Sequence, residues 1–254
     1  MSIKKNLNIS SNAALNPHIS VDCVVFGFDL EKLMVLTIER GADAQGKKLR
    51  LALPGDLILD TQDLDQNANR ILYELTGLKN IYLEQIGAFG DPNRTETKGD
   101  KDWLKFIRQE PSARVVTIAY YSLVQMSDSA LNPSSFAKSA QWLPVYDIEE
   151  LAFDHLEILQ AGLNKLRSDI QAKPIGLHLL PKKFTITQLN LLYEAILNRK
   201  IDKRNFRRKI AKLGILDELT EKETAVAHKP STYVQFNLKK YQKLLKAAQE
   251  NFRF

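Results

Sequence analysis

The stretch Leu51–Leu78, LALPGDLILDTQDLDQNANRILYELTGL, constrains the fold more than any other part of this chain. Its second half sets Leu64, Ala68, Ile71, Leu72 and Leu75 at the spacing of one helix face, and Gly77 follows as a C-terminal cap. On either side lie paired β-rich runs. ISVDCVVFGFD, from Ile19, and KLMVLTIER precede it; IYLEQIGAF and ARVVTIAYYSLV follow it. The first part of the chain therefore reads strand, strand, helix, strand, strand. A second helix is expected within WLPVYDIEELAFDHLEILQAGLNKLRSDI, and QAKPIGLHLLPKK, with two prolines, reads as a connector.

With 254 residues and 44% hydrophobic content the chain can build two cored domains. No run reaches the roughly 18 uncharged apolar residues of a membrane span, and no apolar block follows the basic start. A cytoplasmic protein with no membrane partner is expected. The single cysteine, Cys23, sits in the apolar run VDCVVFGF and reads as a core thiol. Charge is unevenly distributed. Residues 1–170 carry a net −5 and residues 171–254 a net +11. So basic a segment fits either a polyanion partner or a solvated lysine-rich surface. The expected domains are 1–175 and 176–254.

The second of these changes rhythm. FTITQLNLLYEAILNRKI repeats apolar residues at Leu189, Leu192, Ala195 and Ile196, with Thr187 as the cap candidate. DKRNFRRKIAKLGIL opens on Asp202, a second cap, and puts Phe206, Ile210 and Leu213 on one face. TAVAHKPSTYVQFNL reads as two short strands around HKPS, and KKYQKLLKAAQENF as a closing helix. Helix, turn, basic helix and hairpin describe a winged helix-turn-helix. Lys203, Arg204, Asn205, Arg207, Arg208 and Lys209 would meet double-stranded DNA, with Lys229 reaching from the wing. Arg204 is the expected base reader, Arg208 and Lys229 the phosphate contacts. A two-fold operator asks for two such modules, hence a homodimer.

Pro54–Leu78 resembles a Nudix box. With the box glycine placed at Asp56, Arg70, Glu74 and Gly77 fall in register. The positions of three of the family's glutamates hold Gln62, Ile71 and Leu75. In the family those carboxylates bind Mg²⁺ or Mn²⁺. Their loss implies no catalytic residues, no metal and no cofactor, with Arg70 kept as a scaffold residue; by itself Arg70–Glu74 reads as a surface i,i+4 pair. A degenerate Nudix domain ahead of a winged helix resembles the Nudix-related transcriptional regulators. That resemblance implies an α+β fold: a Nudix α/β/α sandwich with a mixed sheet, followed by the winged helix. It also implies a small effector, a sugar, sugar phosphate or ADP-ribose-like nucleotide sugar, and NPHISVDCVVFGFD looks closer to the sugar-responsive Bacteroidetes branch. Arg40, Asp91 and Arg94 match positions that touch ligand in ADP-ribose-binding Nudix proteins, and Arg114 is a further effector candidate. The segment 95–112 is longer than expected for a loop. A residual metal-dependent hydrolase with a nucleic-acid-binding C-terminal domain is the alternative.

Overall fold

The computed structural model describes residues 14–250 apart from 42–48, 80, 127–130, 132, 134 and 225–229. The chain divides into two compact units. One comprises residues through Phe26, Met34–Leu123 and Ser129–Lys165; the other comprises Gly27–Leu33, Val124–Asp128 and the chain from Leu166 onward. Among the described residues no helix is long and apolar enough to cross a membrane.

The first unit is built on β1 (Leu15–Phe28), whose last nine residues are all buried. A run this uniformly buried belongs to a strand covered on both faces. β1 lies parallel to β5 (Val116–Leu123), with Cys23 opposite Tyr120, and β5 lies antiparallel to β4 (Tyr82–Phe89). The sheet order is β4-β5-β1-β2-β6, where β2 is Leu33–Glu39 and β6 is Ser139–Pro144. The sixth strand, β3 (Gly55–Leu59), pairs antiparallel with β1. Parallel and antiparallel pairs together make the mixed sheet the sequence predicts.

Helices cover both faces. On one, α1 (Leu64–Thr76) buries Ala68, Ile71, Leu72 and Leu75, and its Asp65 accepts a 2.8 Å hydrogen bond from the Tyr120 hydroxyl. On the other lies α3 (His155–Ala172), where a Cβ on Gly162 would stand 3.1 Å from Val24. Cys23 and Val24, consecutive in β1, thus face opposite helices, as strand geometry requires.

α1 begins at a capping box of Asp63 and Gln66 and ends at Gly77, in the left-handed conformation (φ 82°). The loop before it is held from the helix. Asn67, wholly buried, accepts from the Leu59 N–H at 2.8 Å and donates to the carbonyls of Leu59, Gln62 and Asp63 at 3.0–3.2 Å. Arg70 donates to the Leu57 carbonyl and to Asn67, both at 3.0 Å, and pairs with Glu74 at 3.0 Å. Arg70 is therefore a scaffold residue as well as half of an i,i+4 pair.

Several expectations are corrected. The expected order lacked β3, a strand of only five residues. The second expected helix is present within its stretch but starts only at His155, after Phe153 has turned the backbone to φ 55°, while Trp142–Pro144 at the head of that stretch pair with β2. Residues 98–107 form a helix, α2 (Lys98–Ile107), capped by Thr97.

The second unit contains α4 (Ile186–Leu197), α5 (Lys203–Leu213), the hairpin β7 (Leu216–Lys222) and β8 (Thr232–Phe236), and α6 (Leu238–Glu250). The cap of α4 is Thr185, which forms a capping box with Gln188; Thr187 lies inside the first turn. β7 ends before the expected first wing strand, and residues 225–229, including Lys229, lie outside the described residues. A backbone bridge between Phe184 and Val234 (2.8 and 3.1 Å) ties the segment before α4 to the hairpin.

Because buried Asn67 accepts the Leu59 N–H and shares its two amide protons among the nearby carbonyls, Asn67→Ala is expected to cost about 2–3 kcal/mol. Urea unfolding followed by circular dichroism should show a lower midpoint with an unchanged slope.

Candidate functional site

β1, β2, β3, the segment 94–108 and the residues before α3 converge on a cavity in the first unit. Asp22, Arg40, Asp56, Arg94, Trp103, Arg108, Phe136, Phe153 and His155 are among its lining residues. A strand that carries Asp22 in an apolar run must find it a partner, because an uncompensated buried carboxylate is very costly. Here there are two. Arg94 donates to Asp22 at 3.1 Å and, through two nitrogens at 2.8 Å each, to Asp154. His155 Nε2 lies 3.6 Å from the other Asp22 oxygen. Burial would raise the Asp22 carboxyl, but His155 and Arg94 outweigh it and hold the group below its ordinary value. Burial pulls His155 down. The Leu53 N–H donates to His155 Nδ1 at 2.9 Å, which puts the proton of the neutral ring on Nε2, facing Asp22.

Gly55 sits opposite Asp22 in the β1–β3 register, and a Cβ there would stand 1.8 Å from the Asp22 carboxylate. Only glycine lets β3 pass this site.

The second charge cluster comes from α2. Asp100, 1% exposed, accepts from Arg40 at 2.9 Å, from Arg50 at 2.7 Å, from the Phe153 N–H at 3.1 Å and from the Thr97 hydroxyl. The Arg40 guanidinium lies between the rings of Trp103 and Phe153, 4.8 Å from each centroid. Its Nη1 is buried without a hydrogen-bond partner, and so is Arg108 Nε. Half-buried Asp56 has its carboxyl pushed up to about 6 by loss of solvent. The free volume is about 30 Å³, room for a water or two.

Of the effector candidates, Arg40 and Arg94 line this cavity together. Asp91 and Arg114 do not: Asp91 is exposed and accepts the Asn93 N–H of its own turn at 2.7 Å, while Arg114, also exposed, donates to the Gly90 carbonyl at 3.1 Å. Sequence reasoning missed Asp22, Asp56, Asp100, Trp103, Arg108, Phe153 and His155. Among the described residues no group of three or more His, Cys, Asp or Glu could hold a metal ion. Ile71 and Leu75 are 0% and 1% exposed, so two of the box's carboxylate positions have joined the core.

In the second unit α5 displays its bases. Lys203, Arg204, Asn205, Arg207, Arg208 and Lys209 are all exposed, while Phe206 is buried edge-on to Tyr193 at 5.3 Å. Arg204 and Arg208 fall on the side of the helix opposite Phe206, with Arg207 on the flank beside Arg204. Asn205 and Lys209 instead line a cavity on its inner side. Asn205 accepts a 2.9 Å hydrogen bond from Arg208. The turn before α5 is set by Glu194, which takes the Ile201 N–H at 2.9 Å and Lys200 at 3.1 Å.

Residues 176–236 match the NrtR DNA-binding winged helix domain family. The chain is 28% identical over 234 residues to an ADPR-responsive transcriptional repressor, NtrR, of Acinetobacter baylyi, spanning 89% of this chain and 84% of that one. Two solved structures share the fold. Shewanella oneidensis NrtR complexed with a 27mer DNA superimposes with a TM-score of 0.68 at 23% identity, over 88% of this chain and 95% of that one. A MutT/nudix family protein from Enterococcus faecalis gives 0.65 at 22%, over 92% and 90%. The architecture is thus a Nudix-like domain joined to a winged helix of the NrtR type.

Two outcomes are expected for the cavity. Arg94→Ala strands the buried Asp22 carboxylate and the half-buried Asp154, and should lower stability by about 3 kcal/mol in chemical denaturation. Asp56 titrates higher in the folded chain than its ordinary 3.8, so its contribution to stability is present at low pH and is lost as pH rises through about 6. Wild type should therefore lose stability relative to Asp56→Asn between pH 4 and 7, measured by thermal melts of both across that range.

Proposed function

We propose that this chain is a DNA-binding transcriptional regulator whose residues 1–175 sense a small effector and whose residues 176–254 bind an operator, as a homodimer. The observation that carries the reading is the outward arginine face of α5, within a winged helix of NrtR type. Arg204 and Arg207, with Arg208 beside them, bring cations to phosphates and base edges, while the Asp202 cap and buried Phe206 fix the helix. In support, the Acinetobacter relative is by name a repressor.

The effector we propose is of the sugar class, entering at Arg40, Asp56, Arg94 and Arg108. The charges of this cavity are already matched: Arg40 with Asp100, Arg94 with Asp22 and Asp154. A diphosphate would meet Asp22 and Asp56 at close range. Sugar hydroxyls can accept from Arg40 Nη1 and Arg108 Nε and donate to the carboxylates in one pose. ADP-ribose is the second reading, favoured by the name of the Acinetobacter relative. Either effector has to displace Trp103, Phe136 or Phe153, since about 30 Å³ holds neither. Effector binding then alters operator affinity by coupling of the two equilibria.

We further propose that the Nudix domain is not a hydrolase, because Gln62, Ile71 and Leu75 replace the metal-binding glutamates. Mg²⁺- or Mn²⁺-dependent turnover of ADP-ribose that disappears in Glu74→Gln would establish the hydrolase instead.

Three measurements check the rest. A thermal-shift screen of pentoses, pentose phosphates and ADP-ribose should find a sugar-class ligand that adds about 2.7 kcal/mol at 100 times its dissociation constant. The same ligand should change Trp103 fluorescence, with Trp103→Phe as control; a response to ADP-ribose alone transfers the assignment to the second reading. Across a salt series on random-sequence DNA, Arg208→Ala should lose about 0.9 from the logarithmic slope for its phosphate contact, while Arg204→Ala should relax preference at one operator position and Arg207→Ala completes the series. Unchanged slopes and operator preference in all three would leave α5 a solvated face and remove the regulator reading.

A further inference from the structure

A second and larger opening lies wholly within the winged-helix unit. A cleft of about 490 Å³, open to solvent, lies between the end of α3, α4, α5 and α6, within the range of about 300–1,000 Å³ typical of small-molecule sites. Leu177, Leu189, Tyr193, Phe206, Leu213 and Leu244 form its apolar walls. Leu213 is 45% exposed and Leu244 41%, although both face the same space. Residues spaced as Phe206, Ile210 and Leu213 would ordinarily seal a helix onto its neighbours. Here the inner face of α5 stays partly open to water, and among the described residues of the unit none fills it.

The rim has a sign. Lys173, Arg199 and Lys209 line the opening, all three exposed. The acid among the lining residues, Asp202, already caps α5 through the Asn205 N–H at 2.7 Å. An apolar chamber with a cationic mouth suits a molecule with a hydrocarbon body and one anionic head. The body buries the leucines, and the head stays at the mouth beside two guanidinium or ammonium groups.

We propose that this cavity binds an amphipathic organic anion, a medium-chain or aryl carboxylate, with its hydrocarbon among Leu213, Leu244 and Phe206 and its head at Arg199 and Lys209. The site stands apart from the sensor cavity and does not depend on the sugar assignment. It does lie against the helix that carries Arg204, Arg207 and Arg208, so the ligand touches the inner side of the DNA-reading element.

The test uses the full chain and defined probes below their micelle concentrations: hexanoate, octanoate and decanoate, with decanol as neutral control and decyltrimethylammonium as cationic control. Calorimetric titration should show saturable binding of one decanoate per chain, tightening from hexanoate to decanoate. Saturating decanoate should raise Tm by about 3 °C. Decanol should bind more weakly and the ammonium compound not at all. Lys209→Glu and Arg199→Glu should erase the preference for decanoate over decanol. Leu244→Trp, which fills the chamber from an exposed helix position, should abolish uptake; Leu213→Arg is the second variant if the first does not fold. Failure to saturate, equal binding of the cationic probe, or undiminished uptake by a folded filling variant overturns the proposal. So does a wild-type dimer that takes up no decanoate and is dispersed by Leu213→Arg in sedimentation, since a second copy then occupies the groove.

Discussion

Charge can leave water only in company, and the first unit is arranged around that constraint. Arg94 holds Asp22 and Asp154 at once, and Asp100 gathers two arginines, a hydroxyl and a backbone N–H. Each cluster joins elements far apart in the chain: β1, the loop after β4 and the entry to α3 in one case; the end of β2, α2 and Phe153 in the other. Such clusters are weak as sources of net stability, because desolvation cancels much of the attraction, but they are unforgiving of a missing member. They therefore fix which segments meet. α2 meets Arg40 through Asp100 and Trp103, and the His155 segment meets Asp22 through His155 and Asp154-bound Arg94.

The same constraint explains what could and could not be read from sequence. Helix α1, its Gly77 cap, the strands β1, β2, β4 and β5, and the Asp202 cap of α5 are local patterns of period and cap chemistry, visible without knowing any partner. β3 and β6 are not of that kind. GDLIL is too short to show a period, and SAQWLP becomes a strand only because Met34–Glu39 lies beside it. The site divides likewise. Arg40 and Arg94 were legible through the family resemblance, but Asp100, Trp103 and Arg108 lie in a segment whose length alone attracted attention. One signal for Asp22 was available: a carboxylate in VDCVVFGF, a run otherwise fit for a core, demands a buried cation. Asp91 came forward through the family resemblance alone, and here its carboxylate accepts the Asn93 N–H of its own turn.

In the winged-helix unit the division of labour on α5 depends on geometry that composition hides. Six consecutive polar or basic positions interrupted by Phe206 look alike in a list, yet a helix of 3.6 residues per turn sends Arg204 and Arg207 one way and Lys209 another. Glu194 secures the turn before that helix by taking the Ile201 N–H, so the start of α5 rests on a residue from the preceding helix. Two hydrogen bonds, from the Ile201 N–H and Lys200, occupy the Glu194 carboxylate and hold it below its ordinary pKa.

Cys23 is the chain's one cysteine and is 0% exposed at the centre of β1, where burial and the neighbouring Asp22 raise its thiol well above the ordinary range. A thiol so placed is chemically silent until the sheet opens. Its alkylation rate is then a clock for that opening, carried by the protein itself with no label introduced and no competing thiol to subtract. While the fold holds, two copies cannot be joined by a disulfide, and oxidants reach the sulfur only through the same opening. The strand that organises the first unit thus also reports, residue-specifically and over hours, how tightly the unit is closed.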